Sequence, residues 1–305
     1  MDYPATQDLA PEDQFRLEIL LTRDLKAVRI DESAMVLHAL VADGEACLPL
    51  HPNDRPERYL RHLRELLAGH ALGSPGGYPV YLSRWTRHGQ VGMADDPNLG
   101  RLLLTGEPEA VVAVVHSPAL TAELAGYAWW AMPTPENAQL MLRRPAVAKA
   151  DIGATLANFL IEHLPFLQED ALAIMDTVTV LVASNRLSAA QEQALWQKGK
   201  RRPSHCLPFL ECGRLPGQAV TPANFARAAL LLLERPETQE VVTRALNVIG
   251  AFYRENNHAP TELRQLNEGL VTPIFARSTA IGSLMRKKIE PALGPVREAL
   301  QTLAD

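Results

Sequence analysis

The chain has 305 residues, 47% hydrophobic and 21% charged, a balance that fits a folded chain and excludes a disordered one. A net charge of −5 supplies no overall positive field to draw it onto nucleic acid or anionic lipid, leaving only local basic patches for such roles. The three cysteines, Cys47, Cys206 and Cys212, are too few and odd in number for a disulfide framework, and no apolar run reaches the ~20 residues of a membrane span.

The opening MDYPATQDLAPEDQ is polar and acidic, unlike a secretory leader. With the cysteine count, this predicts a cytoplasmic protein that does not engage membranes. The first helix is expected to begin near Pro11, where the missing N–H costs nothing. Helical spacing of Leu17, Leu21, Leu25 and Val28 carries it onward. Asp43-Gly44 lies between two short apolar runs, which predicts a hairpin with strands near 34–41 and 45–50. A short helix over 32–41 is the alternative. RPERYLRHLRELLAGHALG predicts an amphipathic helix started by Pro56 and ended by Gly69 or Gly73. Its apolar stripe is Tyr59, Leu60, Leu63, Leu66 and Leu67.

Residues 72–90 read LGSPGGYPVYLSRWTRHGQ. The stretch follows a helix and lacks the Gly-Lys-Ser/Thr of a phosphate loop, and it lacks the spaced glycines of a dinucleotide loop. Tyr78, Tyr81, Arg84, Trp85, Arg87 and His88 combine ring faces and cations, the mixture that binds single-stranded nucleic acid. A short helix with Tyr81 and Trp85 packed inward explains them more simply, because six residues without a wider basic field seldom make a site.

Beyond this stretch the chain reads as helix throughout. EPEAVVAVVHSPAL (107–120) aligns without gaps on TPENAQLMLRRPAV (134–147). In each copy a proline starts a helix and the next proline stops it. Such a unit cannot bury its apolar face alone and is expected to stack on its neighbour. Further helices are predicted over 121–132, 152–163, 167–182, 188–199, 222–234, 237–255, 260–268, 274–289 and 295–304. The predicted fold is mainly α: stacked helical hairpins in an irregular HEAT- or armadillo-like solenoid, with a small N-terminal β-hairpin. Three regions are expected, 1–75, 76–215 and 216–305, the last boundary set by the Gly-, Pro- and Arg-bearing stretch GKRRPSHCLPFLECGRLPGQAVT.

Two more basic clusters stand out. Lys198, Lys200, Arg201 and Arg202 form one; Arg286, Lys287 and Lys288 form the other, opposite an apolar stripe of Ile281, Leu284, Met285 and Ile289. A solvated helix face is the usual meaning of such runs. His205, Cys206 and Cys212 do not supply the four paired ligands of structural zinc. A reactive thiol at Cys206 or Cys212 requires exposure and a lowered pKa, and Cys47 and Cys206 are expected instead as buried small hydrophobes. Neither Gly-x-Ser-x-Gly nor His-Glu-x-x-His occurs, and the histidines are scattered. No catalytic residue, metal or cofactor is therefore expected.

Four stretches, LGSPGGYPVYLSRWTRHGQ, TGEPEAVVAVVHSPALTAELAGYAWWAMPTPENA, LANFLIEHLPF and FARSTAIGSLMRKKIEP, span most of the chain. Together they resemble the DsrS family, cytoplasmic proteins encoded with the reverse-acting dissimilatory sulfite reductase genes of sulfur-oxidising bacteria. None of the four is a mechanistic signature, so no residue role carries over. The resemblance implies a soluble accessory protein of sulfur oxidation with a regulatory effect. The expectation is a non-enzymatic protein that binds protein partners through a helical surface. RNA binding through residues 78–88 and the basic clusters is the runner-up, and thiol-based sulfur handling the third reading.

Overall fold

The computed structural model describes residues 9–73, 99–167, 170–256, 258–277 and 282–305. It is mainly helical, with one three-stranded antiparallel sheet near the N-terminus. The chain packs as two compact units, Met1–Ile152 and Gly153–Asp305. That division falls elsewhere than the boundaries expected near 75 and 215.

In the first unit, helix α1 (Pro11–Leu21) starts at the expected proline but ends four residues before Leu25. Leu25 and Val28, placed by spacing on this helix, belong instead to strand β1 (Leu25–Asp31). The β-branched Val28 and Ile30 suit a pleated strand, and a neighbouring strand supplies the ladder partners that sequence spacing cannot reveal. Strands β2 (Val36–Val41) and β3 (Gly44–Pro49) form the expected hairpin around Asp43-Gly44, with Gly44 at φ +139. Ladder partners are Val28 with Ala39, Ile30 with Leu37, His38 with Cys47 and Ala39 with Ala46.

One face of this sheet is core. Val28, Leu37, Ala39 and Leu48 pack with Leu17 and Leu20 of α1 and with Tyr59, Leu60, Leu63 and Leu67 of α2 (Pro56–Leu72). Leu66, expected in the stripe of α2, is 38% exposed. The helix closes on Gly73 in the left-handed conformation, φ +62, which glycine adopts without strain.

A 3₁₀ segment, Leu99–Leu104, leads into α3 (Pro108–His116), α4 (Ala122–Ala131), α5 (Pro135–Leu142) and α6 (Pro145–Lys149). The two aligned Pro-Glu segments are α3 and α5, each begun by its proline and ended ahead of the next. Thr121 and Thr134 cap α4 and α5 by accepting backbone N–H bonds with their side chains. Helix α3 packs on both α4 and α5.

The second unit holds all but the first two residues of α7 (Asp151–His163), then α8 (Ala171–Ser184), α9 (Ala189–Gly199), α10 (Leu207–Glu211), α11 (Pro222–Glu234) and α12 (Gln239–Tyr253). Ser188 starts α9 through a capping box with Gln191. The helix expected over 260–268 shrinks to α13 (Thr261–Arg264) and a 3₁₀ turn at Glu268–Leu270. The short α14 (Thr272–Phe275) precedes α15 (Gly282–Ala304), one helix in which Pro291 and Pro295 are interior. Two helices, 274–289 and 295–304, were expected there. Each interior proline forfeits a backbone hydrogen bond. Burial of Met285, Ile289, Leu293, Val296 and Leu300 along α15, which packs on α11 and α13, offsets that loss.

Candidate functional site, a basic cleft in the second unit

The site grows out of the end of α9. Gly199 lies so close to Cys206 that a Cβ there would stand 2.4 Å from the Cys206 Cβ. This approach lets the chain turn sharply. The Arg201 and Arg202 amides both donate to the Lys198 carbonyl, at 3.0 and 3.1 Å. A 3₁₀ turn, Pro203–His205, then leads into α10.

The turn gathers Lys198, Arg201, Arg202 and His205 around a cleft of about 270 Å³. The apolar part of the lining is Leu164 and Pro165, which follow α7, and Ile174 of α8. Arg202 is held in place by Glu237. Its Nε donates to Oε1 at 2.9 Å, and the Ser204 amide donates to Oε2 of the same carboxylate at 3.1 Å. Lys198 and Arg201 form no ion pair among the described residues.

His205 is only 7% exposed, and its Nδ1 has no hydrogen-bond partner among the described residues. Burial depresses its pKa first, and the positive charges of Arg202 and Lys198 depress it further, against the opposing pull of Glu237. The imidazole is therefore neutral at pH 7. A buried polar nitrogen without a partner costs about 1–3 kcal/mol. An anion in the cleft adds negative charge beside the ring, which favours the imidazolium and so reverses the effect of the neighbouring cations. Cations and aliphatic groups lining one cleft fit an anionic group carried on an apolar body.

The basic clusters expected from sequence are partly separated. Arg201 lines the cleft, whereas Lys200 is exposed beside it. Arg286, Lys287 and Lys288 are exposed on α15, opposite the buried Met285 and Ile289, as their spacing implied. Leu284, expected in that stripe, is 54% exposed. Tyr78, Tyr81, Arg84, Trp85, Arg87 and His88 lie outside the described residues. Sequence reasoning weighed His205 only as a metal ligand. Its place in the cleft comes from its burial and from lining residues on the turn after α7 and on α8, which no local pattern encodes.

The thiols divide sharply. Cys206 is 1% exposed, and burial pushes its thiol up to about 12, so it stays protonated and out of reach of reagents. Cys212 is half-buried, with its pKa raised, again chiefly by burial. These placements remove the lowered pKa that a reactive thiol at either position requires. Cys47, expected as buried, is exposed, with its Sγ 3.3 Å from Nδ1 of His38. It alternates along β3 with Ala46 and Leu48, and Leu48 takes the core side. A second cleft, of about 220 Å³, runs beside this strand, lined by Arg16, Ile19 and Leu20 of α1, by Arg23 just after it, and by Ala46, Cys47 and Leu48.

No protein-family model matches the chain, and neither a curated protein nor a solved structure matches it. Among the described residues, no helix is long and apolar enough to cross a membrane.

Proposed function

We propose that the protein is a non-enzymatic accessory factor whose second unit binds an anionic group carried on an apolar body. One observation carries the reading. A single cleft is lined by Lys198 and Arg201, which form no ion pair among the described residues, by the buried His205, and by the apolar Leu164, Pro165 and Ile174. The cleft is suited to seating an acidic group presented by a protein partner. Such a role accords with the regulatory part in cytoplasmic sulfur oxidation that the resemblance to the DsrS family implies. In the same reading the helices stack as hairpins of an irregular HEAT- or armadillo-like kind, supported by the packing of the proline-started α3 and α5.

Affinity purification from sulfur-grown cells tests the reading. Tagged wild type is compared with a Lys198→Glu/Arg201→Glu variant, each lysate being split into RNase-treated and untreated halves. Partners should survive RNase and be lost from the charge-reversed variant. Partners lost to RNase would favour RNA binding through residues 78–88, Lys200 and Lys287. Partners indifferent to charge reversal would remove the cleft from the account.

A further inference from the structure

The outer face of the N-terminal sheet carries a second cluster, independent of the cleft. His38 of β2 stands directly across the ladder from Cys47 of β3, and Glu45 lies two residues before Cys47 on the same face. Nδ1 of His38 is 2.8 Å from Oε1 of Glu45 and 3.3 Å from Sγ of Cys47. One imidazole nitrogen, one carboxylate oxygen and one sulfur all lie within 4.8 Å of one another. We propose that His38, Glu45 and Cys47 form a binding site for a divalent cation of the zinc class.

The donor set is right: nitrogen, sulfur and oxygen are the ligands of zinc, at about 2.0–2.3 Å. Ligands at those distances around a tetrahedral ion stand roughly 3.3–3.7 Å apart, so the two spacings to His38 need to open by at most about 0.5 Å. The side chains are free to make that adjustment, because Cys47 is exposed and His38 and Glu45 are partly so. The carboxylate is also already oriented. Oε1 of Glu45 accepts from Arg29 Nη2 at 3.1 Å, Oε2 accepts from the Trp130 indole at 3.4 Å, and the Arg29 guanidinium sits 4.7 Å from the Trp130 ring centre. Outer groups of this kind fix a ligand's direction. Finally, His38 Nδ1 faces two groups that both carry negative charge once deprotonated, and a cation between them satisfies all three at once.

As the sulfur–metal bond forms, the Cys47 thiol gives its proton to solvent. His38 binds through an unprotonated Nδ1, with its proton on Nε2, and Glu45 binds as the carboxylate it already is. Three protein ligands leave one position open to water on the exposed side, the arrangement of an open zinc site rather than a closed structural one.

The test uses the metal-free full chain and Co²⁺, whose thiolate charge-transfer absorption reports a sulfur ligand, followed by competition with Zn²⁺. One equivalent should bind with that absorption, with proton release and with affinity rising with pH. Cys47→Ser should abolish the absorption, Glu45→Gln should weaken binding by about 10–100-fold, and Cys212→Ser should change neither. Circular dichroism verifies that each variant is folded. Absorption that persists in Cys47→Ser, absorption lost in Cys212→Ser, or no uptake at equimolar metal overturns the proposal.

Discussion

Asp13 is 1% exposed in the first unit, yet it is ionised. Burial pushes its pKa up, but the bonds it accepts outweigh that effect: His51 Nδ1 at 2.9 Å, Tyr59 Oη at 2.5 Å and the His51 amide at 2.6 Å hold it below the ordinary carboxylate value. A folded-state pKa below the unfolded one stabilises the protein above about pH 3.9, and that stabilisation is lost as pH falls through the folded value. Asp13→Asn is expected to cost about 2–3 kcal/mol at pH 7, because Asn cannot accept all three bonds. It should also flatten the loss of stability below pH 4. Urea unfolding of both forms between pH 7 and pH 3 measures this, and an unchanged acid limb would remove Asp13 as its source. Gly199 illustrates the opposite limit, a position with no room for a side chain. Gly199→Ala places a Cβ 2.4 Å from the Cys206 Cβ and 2.8 Å from its Sγ. Thermal unfolding should show a loss of about 1–3 kcal/mol from this overpacking.

Elements of the second unit are tied by one arginine. Arg244 of α12 grips Glu211 of α10 with two parallel bonds, Nε to Oε1 at 2.8 Å and Nη2 to Oε2 at 2.7 Å. Its Nη1 reaches Asp176 of α8 at 3.1 Å. Helix α10 is five residues long and too short to persist without such anchors. Arg244→Leu leaves the Glu211 carboxylate, whose side chain is 17% exposed, with only the Thr179 hydroxyl at 3.3 Å, and should cost about 2–3 kcal/mol in denaturant unfolding. Asp176→Asn, at a side chain 48% exposed, should cost less than about 1 kcal/mol. Equal losses would show that the fork is no more important than the outer contact. This network also shows what sequence conveys and what it withholds. Asp176 interrupts the apolar run ALAIMDTVTVLVA, which is visible in the sequence, but its partner lies 68 residues away. Similarly, Asp43-Gly44 marks β2 and β3 through local turn chemistry, and the proline starts of α1, α2, α3 and α5 are legible. Strand β1 was not, because Leu25 and Val28 fit helical spacing until β2 pairs with them. Nor was the continuity of α15 through Pro291 and Pro295, which depends on packing against α11 and α13.

For the molecule as a whole, half of the candidate site could be read and half could not. Lys198, Arg201 and Arg202 stood out as a basic run, while the apolar part of the lining comes from Leu164, Pro165 and Ile174, more than twenty residues earlier in the chain. Burial of His205 also depends on that distant packing. The central claim is that these groups act together on an anion. It is tested most directly by calorimetric titration of the full chain with hexanoate, inorganic phosphate and sulfate. Hexanoate has both parts the cleft is built for and should bind more tightly than either inorganic anion. Binding should weaken with added salt and strengthen as pH falls, since the anion favours the protonated His205. Lys198→Ala/Arg201→Ala should lose it by roughly 10-fold or more, about 1.4 kcal/mol. Absence of binding for all three anions, or binding unchanged in the double variant, would contradict the account.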